Sequence, residues 1–183
     1  MKIAVVGTGT MGSGIVQAFA QAGFPVVMKG YNDRELETGN KIIAKNLAKL
    51  VEKEKISSAQ RDEIIARIEG TTSYEPCADA DIVIEAILET MEIKREVFGT
   101  LDKICKPETI LASNTSSLSI TEIASSTKRP ERVIGMHFFN PAPVMKLVEV
   151  IKGQLTSDDV HSFVMELAQK AGKTPVTVNE APG

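Results

Sequence analysis

Three glycines set just behind the first strand constrain this chain more than any other feature. Ile3, Ala4, Val5 and Val6 form an apolar run too short for a helix, and such a run reads as a buried strand. Gly7, Gly9 and Gly12 come next with G-x-G-x-x-G spacing, after which Ile15, Val16, Phe19 and Ala22 mark an apolar helix face. In that order the first glycine permits a tight turn, the second admits backbone to a pyrophosphate, and the third lets helix pack against strand. The free N–H groups and positive dipole end of the helix would hold the phosphates without a dedicated basic residue. Gly7, Gly9, Thr10, Met11 and Gly12 are therefore the expected cofactor-binding positions. The glycine pattern alone is weak; opening a helix after the first strand makes it specific.

The rest of the chain alternates strands with helices. Residues 24–29, 70–74, 81–86, 109–113, 132–136, 146–151 and 173–178 read as strands. Helices are expected over 34–53, 57–67 and 91–104, with a short one opened at 119–122 and a last one capped at 156–159 and ended by Gly172. Asp33, Ser57 and Thr90 are read as N-caps, and Ser57 to Gln60 as a capping box. This regularity predicts an α/β fold, a doubly wound, mostly parallel Rossmann-type sheet with helices on both faces. The 183 residues suit one dinucleotide-binding domain, residues 1–183, and no repeat, low-complexity tract or linker divides them.

A net charge of −3 provides no global field for nucleic acid. No apolar run approaches membrane-spanning length, so no membrane partner is expected. Cys77 and Cys105 lack metal-ligand spacing and read as free thiols of a reducing compartment, with the cytoplasm as the expected address and no metal.

His137 extends from a strand into the crevice where open α/β sheets bind ligand. Glu149 lies among Leu147, Val148, Val150 and Ile151, where a carboxylate is costly to bury unless paired. An imidazole on a neighbouring strand suits it: the carboxylate would fix the ring's tautomer while the other nitrogen moves a proton. Asn114 and Ser116, just past another strand, can donate to a carbonyl oxygen or a ribose. A nucleotide fold with a His–Glu pair points to hydride transfer coupled to proton abstraction. His161, on the polar flank of its helix, reads as surface, and Glu85 is odd in so apolar a strand.

GTGTMGSGIVQAFAQAG, SNTSSLSITEIA, GMHFFNPAPVMKLVEV and NEAPG together resemble the NAD-binding domain of the 3-hydroxyacyl-CoA dehydrogenases, nearest the short-chain bacterial members acting on 3-hydroxybutyryl-CoA. The resemblance implies that His137 is the catalytic base, Glu149 its partner, and Ser116 a contact of both substrate and cofactor. It implies that Glu89, Lys94, Asn114 and Asn140 line the nicotinamide end, with Asn140 also on the substrate side. Lys41, Lys45, Lys49 and Lys53 recur every four residues, a pattern that suits a solvated face or an anion ridge. The resemblance favours coenzyme A, with Lys53 the phosphate contact. It also implies reversible oxidation of an (S)-3-hydroxyacyl-CoA, and a further helical domain that mediates homodimerisation and completes the site. A chain without that domain is expected to bind cofactor and to turn over poorly or not at all.

At one position the chain departs from that pattern. Gly30 stands where the family carries an Asp that binds the adenosine ribose, with Lys29, Asn32 and Arg34 nearby. Loss of the carboxylate removes its repulsion of a 2′-phosphate, leaving NAD or NADP open. A cofactor-binding module without chemistry, and a dehydrogenase of free hydroxy acids, remain alternative functions.

Overall fold

The computed structural model describes residues 1–180 of the chain; the Ala181–Gly183 part of the NEAPG block lies outside them. Eight strands form one sheet: β1 (Ile3–Val6), β2 (Val26–Lys29), β3 (Ile68–Thr71), β4 (Ile82–Glu85), β5 (Ile110–Ser113), β6 (Val133–Phe138), β7 (Leu147–Lys152) and β8 (Thr174–Asn179). Their order is β3-β2-β1-β4-β5-β6-β7-β8. All neighbours run parallel except β6 and β7. The six α-helices among the described residues are α1 (Thr10–Gln21), α2 (Asp33–Glu52), α3 (Ser58–Ala66), α4 (Met91–Ile104), α5 (Ile120–Ala124) and α6 (Asp158–Lys170).

Successive strand residues point to opposite faces, and both faces are apolar. Ile3 and Val5 of β1 join Met28, Ile84, Met136 and Val150 beneath α1, α2, α3 and α6. Ala4 and Val6 join Val27, Val83, Leu111 and Val133 beneath α4 and α5. Strands buried on both sides require apolar residues throughout, which is why the runs read as continuous rather than alternating. The expected doubly wound sheet is present.

Local corrections concern element ends. β3 begins two residues before the expected 70. Asn32, not Asp33, caps α2: its Oδ1 accepts from the Glu35 amide at 2.9 Å. Ser157 rather than Thr156 stands at the N-cap of α6, because the Thr156 hydroxyl is committed to the Val133 carbonyl at 2.6 Å. Thr90 holds the N-cap position of α4 without a side-chain hydrogen bond. The capping box at Ser57 and Gln60 forms in both directions.

Candidate active site

The crest of the sheet is built from the loops and helix starts at the C-terminal ends of β1, β4, β5 and β6. At its centre Gly7 adopts φ +117°, and a Cβ there would lie 2.4 Å from the Ala86 carbonyl oxygen. A Cβ on Gly12 would lie 2.1 Å from the Gly7 oxygen, whereas one on Gly9 would meet nothing within 4 Å. Two glycines thus bring strand, loop and helix together, and the third leaves space above the loop. Helix α1 opens at Gly9 with no side-chain cap and no acid in its first turn. Its first amides are available to an anion, with Thr10 exposed and Met11 half-buried beside them. These features fit a dinucleotide pyrophosphate.

On the β2 side, Gly30 is buried, and a Cβ on it would stand 3.1 Å from Leu36 Cβ and N at the start of α2. The Lys29 ammonium lies over the Tyr74 ring at 4.0 Å. Burial lowers its pKa, a shift that Cys77 and Glu35 oppose. With the Asn32 side chain capping α2, neither Lys29 nor Asn32 is offered to a 2′-phosphate. Arg34 is exposed and has no ion pair among the described residues.

On the β6 side the expected contact between His137 and Glu149 forms. His137 and Glu149 stand opposite each other in the antiparallel register, with Nδ1 2.9 Å from Oε2. An ionised carboxylate only accepts, so Nδ1 carries the proton and Nε2 is left as the acceptor. The His137 side chain is 17% exposed and that of Glu149 33%, so the carboxylate is less buried than its apolar neighbours suggest. Val148 and Val150 take the covered face of β7, leaving Glu149 on the face that meets solvent. Phe139 packs against the imidazole at 4.7 Å between ring centres.

Between these two ends lies a polar network. Asn114 Oδ1 accepts from the Phe138 amide at 2.8 Å, and its own amide donates to the Glu85 carbonyl. Glu89 accepts from the Ser116 amide at 2.9 Å and from the Thr115 hydroxyl. Burial pushes the Glu89 carboxyl up, but these donors together with Lys94 outweigh it and hold its pKa below the usual range. Lys94, 1% exposed, bonds Glu85 at 2.7 Å and Glu89 at 3.2 Å. Nothing in the linear order of residues announces so buried a lysine, nor the part played by Thr115.

The structure therefore gathers His137, Glu149, Asn114, Ser116, Glu89 and Lys94 at one end of the crest. Asn140 is exposed two residues past β6. Lys53 is also exposed, but stands at the C-cap of α2, about 30 Å along that helix from its start. His161, read as surface, is half-buried and lies 3.0 Å from Thr177 Oγ1. A separate cleft of about 910 Å³ opens beside Met91, Leu118, Gly153 and Glu180, without His137 or the glycine loop. Glu180 there accepts from Ser119 and Thr121. Among the described residues no group of three or more potential metal ligands occurs, and none of their helices is long and apolar enough to cross a membrane.

A sequence model described as the NAD-binding domain of 3-hydroxyacyl-CoA dehydrogenase matches residues 2–181. The chain is 56% identical over its whole length to 3-hydroxybutyryl-CoA dehydrogenase of Clostridioides difficile, covering 65% of that protein. It is equally similar, at 56%, to the probable 3-hydroxybutyryl-CoA dehydrogenase of Bacillus subtilis (strain 168), covering 63%. Among solved structures, the (S)-3-hydroxybutyryl-CoA dehydrogenase of Ralstonia eutropha superposes with a TM-score of 0.97 at 46% identity, covering 100% of this chain and 64% of that one. The chain thus spans a little under two thirds of the length of the relatives it matches.

Proposed function

Since the chain belongs to the 3-hydroxyacyl-CoA dehydrogenase family, in its NAD-binding domain, we propose that it serves the reversible oxidation of an (S)-3-hydroxyacyl-CoA, 3-hydroxybutyryl-CoA foremost, to the 3-oxoacyl-CoA. The observation that carries this reading is the His137–Glu149 pair at the end of a crest that fits a dinucleotide. NAD, when bound, supplies the hydride acceptor. His137 Nε2 takes the hydroxyl proton as the carbonyl forms, and the Glu149 carboxylate stabilises the resulting imidazolium. Ser116, whose amide Glu89 holds in place, orients the substrate oxygen together with Asn140. Glu89, Lys94 and Asn114 hold the nicotinamide end.

Residues 1–183 form a single dinucleotide-binding domain in this reading. Homodimerisation belongs to a helical domain of the kind the family carries. The free, buried thiols of Cys77 and Cys105 suit a reducing compartment such as the cytoplasm.

The deciding experiment, made with the chain joined to the family's helical domain, compares acetoacetyl-CoA with free acetoacetate as oxidants of NADH. Turnover of the thioester alone supports the reading. Equal turnover of the free acid would replace it with a hydroxy-acid dehydrogenase. NADH binding with no turnover of either would leave a cofactor-binding module.

A further inference from the structure

Glu85 has no part in the proton and hydride steps, yet it is the most deeply buried carboxylate of the crest. It ends β4 with 0% exposure. Its oxygens are fully engaged: Oε1 by Lys94 Nζ and the Ile87 amide, each at 2.7 Å, and Oε2 by the Ser113 hydroxyl at 2.7 Å. Lys94 in turn lies 3.2 Å from Glu89 Oε2. One ammonium is therefore shared by two carboxylates, and with all three groups ionised the triad carries a net charge of −1.

Such an arrangement is a poor source of stability. Desolvation offsets the attraction even in a simple buried ion pair, and here one charge is left over. The surplus lies at the reactive end of the crest. Glu89 fixes the Ser116 amide, and the Glu85 carbonyl receives the Asn114 amide. Asn114 Oδ1 then takes the amide of Phe138, the residue after His137. A charge held there in a partly dry site acts on any charge that arrives beside it.

The crevice has been read as an NAD site, and on that reading the sign of the surplus charge matters. The oxidised nicotinamide ring is cationic and the reduced ring is neutral. We propose that Glu85 is a positioning residue that, acting through Lys94, sets the triad at −1 and so biases the site toward the oxidised dinucleotide. A residue that merely propped the 114–116 segment would affect both redox forms alike.

The test uses the 183-residue chain, with NADH affinity from its fluorescence and NAD⁺ affinity by competition. Glu85→Gln makes the triad neutral, and should weaken NAD⁺ relative to NADH by roughly three- to tenfold, the size expected of one charge acting across a partly screened site. Lys94→Met leaves two carboxylates and should move the ratio the other way. The double variant retains Glu89 alone, restores −1, and should return the wild-type ratio. Because Glu85→Gln leaves Lys94 half-paired, folding is checked by circular dichroism; should that variant unfold, Lys94→Met and the double variant carry the comparison. Affinities that change together, with the ratio unmoved, would overturn the proposal while leaving the cofactor reading intact. Failure of the unmodified chain to bind either form would bring down both.

Discussion

His137 on β6 and Glu149 on β7 face each other across the antiparallel pair of the sheet, 2.9 Å from ring nitrogen to carboxylate oxygen. In the parallel part of the sheet, strand ends at the crest carry loops leading away. Reversal at β7 instead brings a carboxylate back alongside the histidine, on a rigid ladder rather than a loop. In the chain joined to the family's helical domain, His137→Ala should lower kcat for acetoacetyl-CoA reduction by roughly 10²–10⁴-fold, the usual worth of a positioned base. Glu149→Gln should also lower kcat, with NADH affinity nearly unchanged in both. Steady-state kinetics beside a fluorescence titration checks this, and an unchanged kcat in His137→Ala would remove the catalytic assignment.

The glycine loop yields a prediction of a different kind. Gly12→Ala puts a methyl group 2.1 Å from the Gly7 oxygen, an overlap that only backbone movement can relieve. It should cost roughly 1–3 kcal/mol of stability and weaken NADH binding sharply. Gly9→Ala, whose methyl group meets no protein atom within 4 Å, should fold with near wild-type stability and still lose affinity, because it fills the space over the loop. Thermal melts and NADH titrations of the two variants separate packing from ligand contact.

The two cysteines should be inert in the folded chain. Burial, aided by the neighbouring thiol, pushes Cys77 up to about 12. Burial also pushes Cys105 up to about 11, against the pull of Arg129. Thiolate is the reactive form, so at pH 8 neither should react with a disulfide reagent until the chain unfolds. The shift also sets a sign. A thiol whose pKa is raised on folding lowers stability once pH climbs past the unfolded value near 8.5. Denaturant midpoints should therefore fall above about pH 9, and fall less when Cys77 is replaced by Ala.

How much of this molecule is legible in its sequence depends on how far each signal reaches along the chain. The glycine spacing, the apolar strands and the Ser57 capping box are contiguous patterns, and each formed as expected. Asn32 carries a contiguous signal too, standing three residues before the Glu35 amide that it caps, but Asp33 beside it is a capping residue type of equal preference. Pairing His137 with Glu149 required only that their strands be neighbours. Lys94 is singled out only by the family resemblance, and its burial is not legible, because Glu92, Arg95 and Glu96 around it give α4 the look of an ordinary charged face. Only the fold shows that the position points inward, to a carboxylate nine residues earlier. Thr115 was hidden likewise, its partner Glu89 lying in another loop.

Lysines on α2 test the acyl-CoA reading. Lys41 is paired with Glu37 at 2.6 Å, whereas Lys45, Lys49 and Lys53 have no acidic partner among the described residues. In the chain joined to the family's helical domain, Lys53→Glu should raise the KM for acetoacetyl-CoA several-fold without lowering kcat, the pattern of lost ground-state binding. An unchanged KM would return this face to solvent.

Cofactor choice turns on Gly30. The chain belongs to an NAD-binding family, yet at the end of β2 it lacks the carboxylate that would hold a ribose hydroxyl and repel a 2′-phosphate. Lys29 is turned under Tyr74 and Asn32 is occupied as a cap, so only exposed Arg34 is left to meet such a phosphate. The expected outcome is NADH binding with weak discrimination against NADPH, under about tenfold, because no carboxylate stands at the strand end itself and the nearest acids, Asp33 and Glu35, lie in the first turn of α2 beside Arg34. Gly30→Asp should sharpen the preference for NADH by about tenfold or more, the value of a hydrogen bond to a charged acceptor. Its Cβ comes within 3.1 Å of Leu36, so the start of α2 must shift slightly and a modest loss of melting temperature should accompany the gain. Parallel titrations of both chains with NADH and NADPH measure this. A ratio that Gly30→Asp leaves unmoved would mean that the adenosine ribose does not lie at the end of β2.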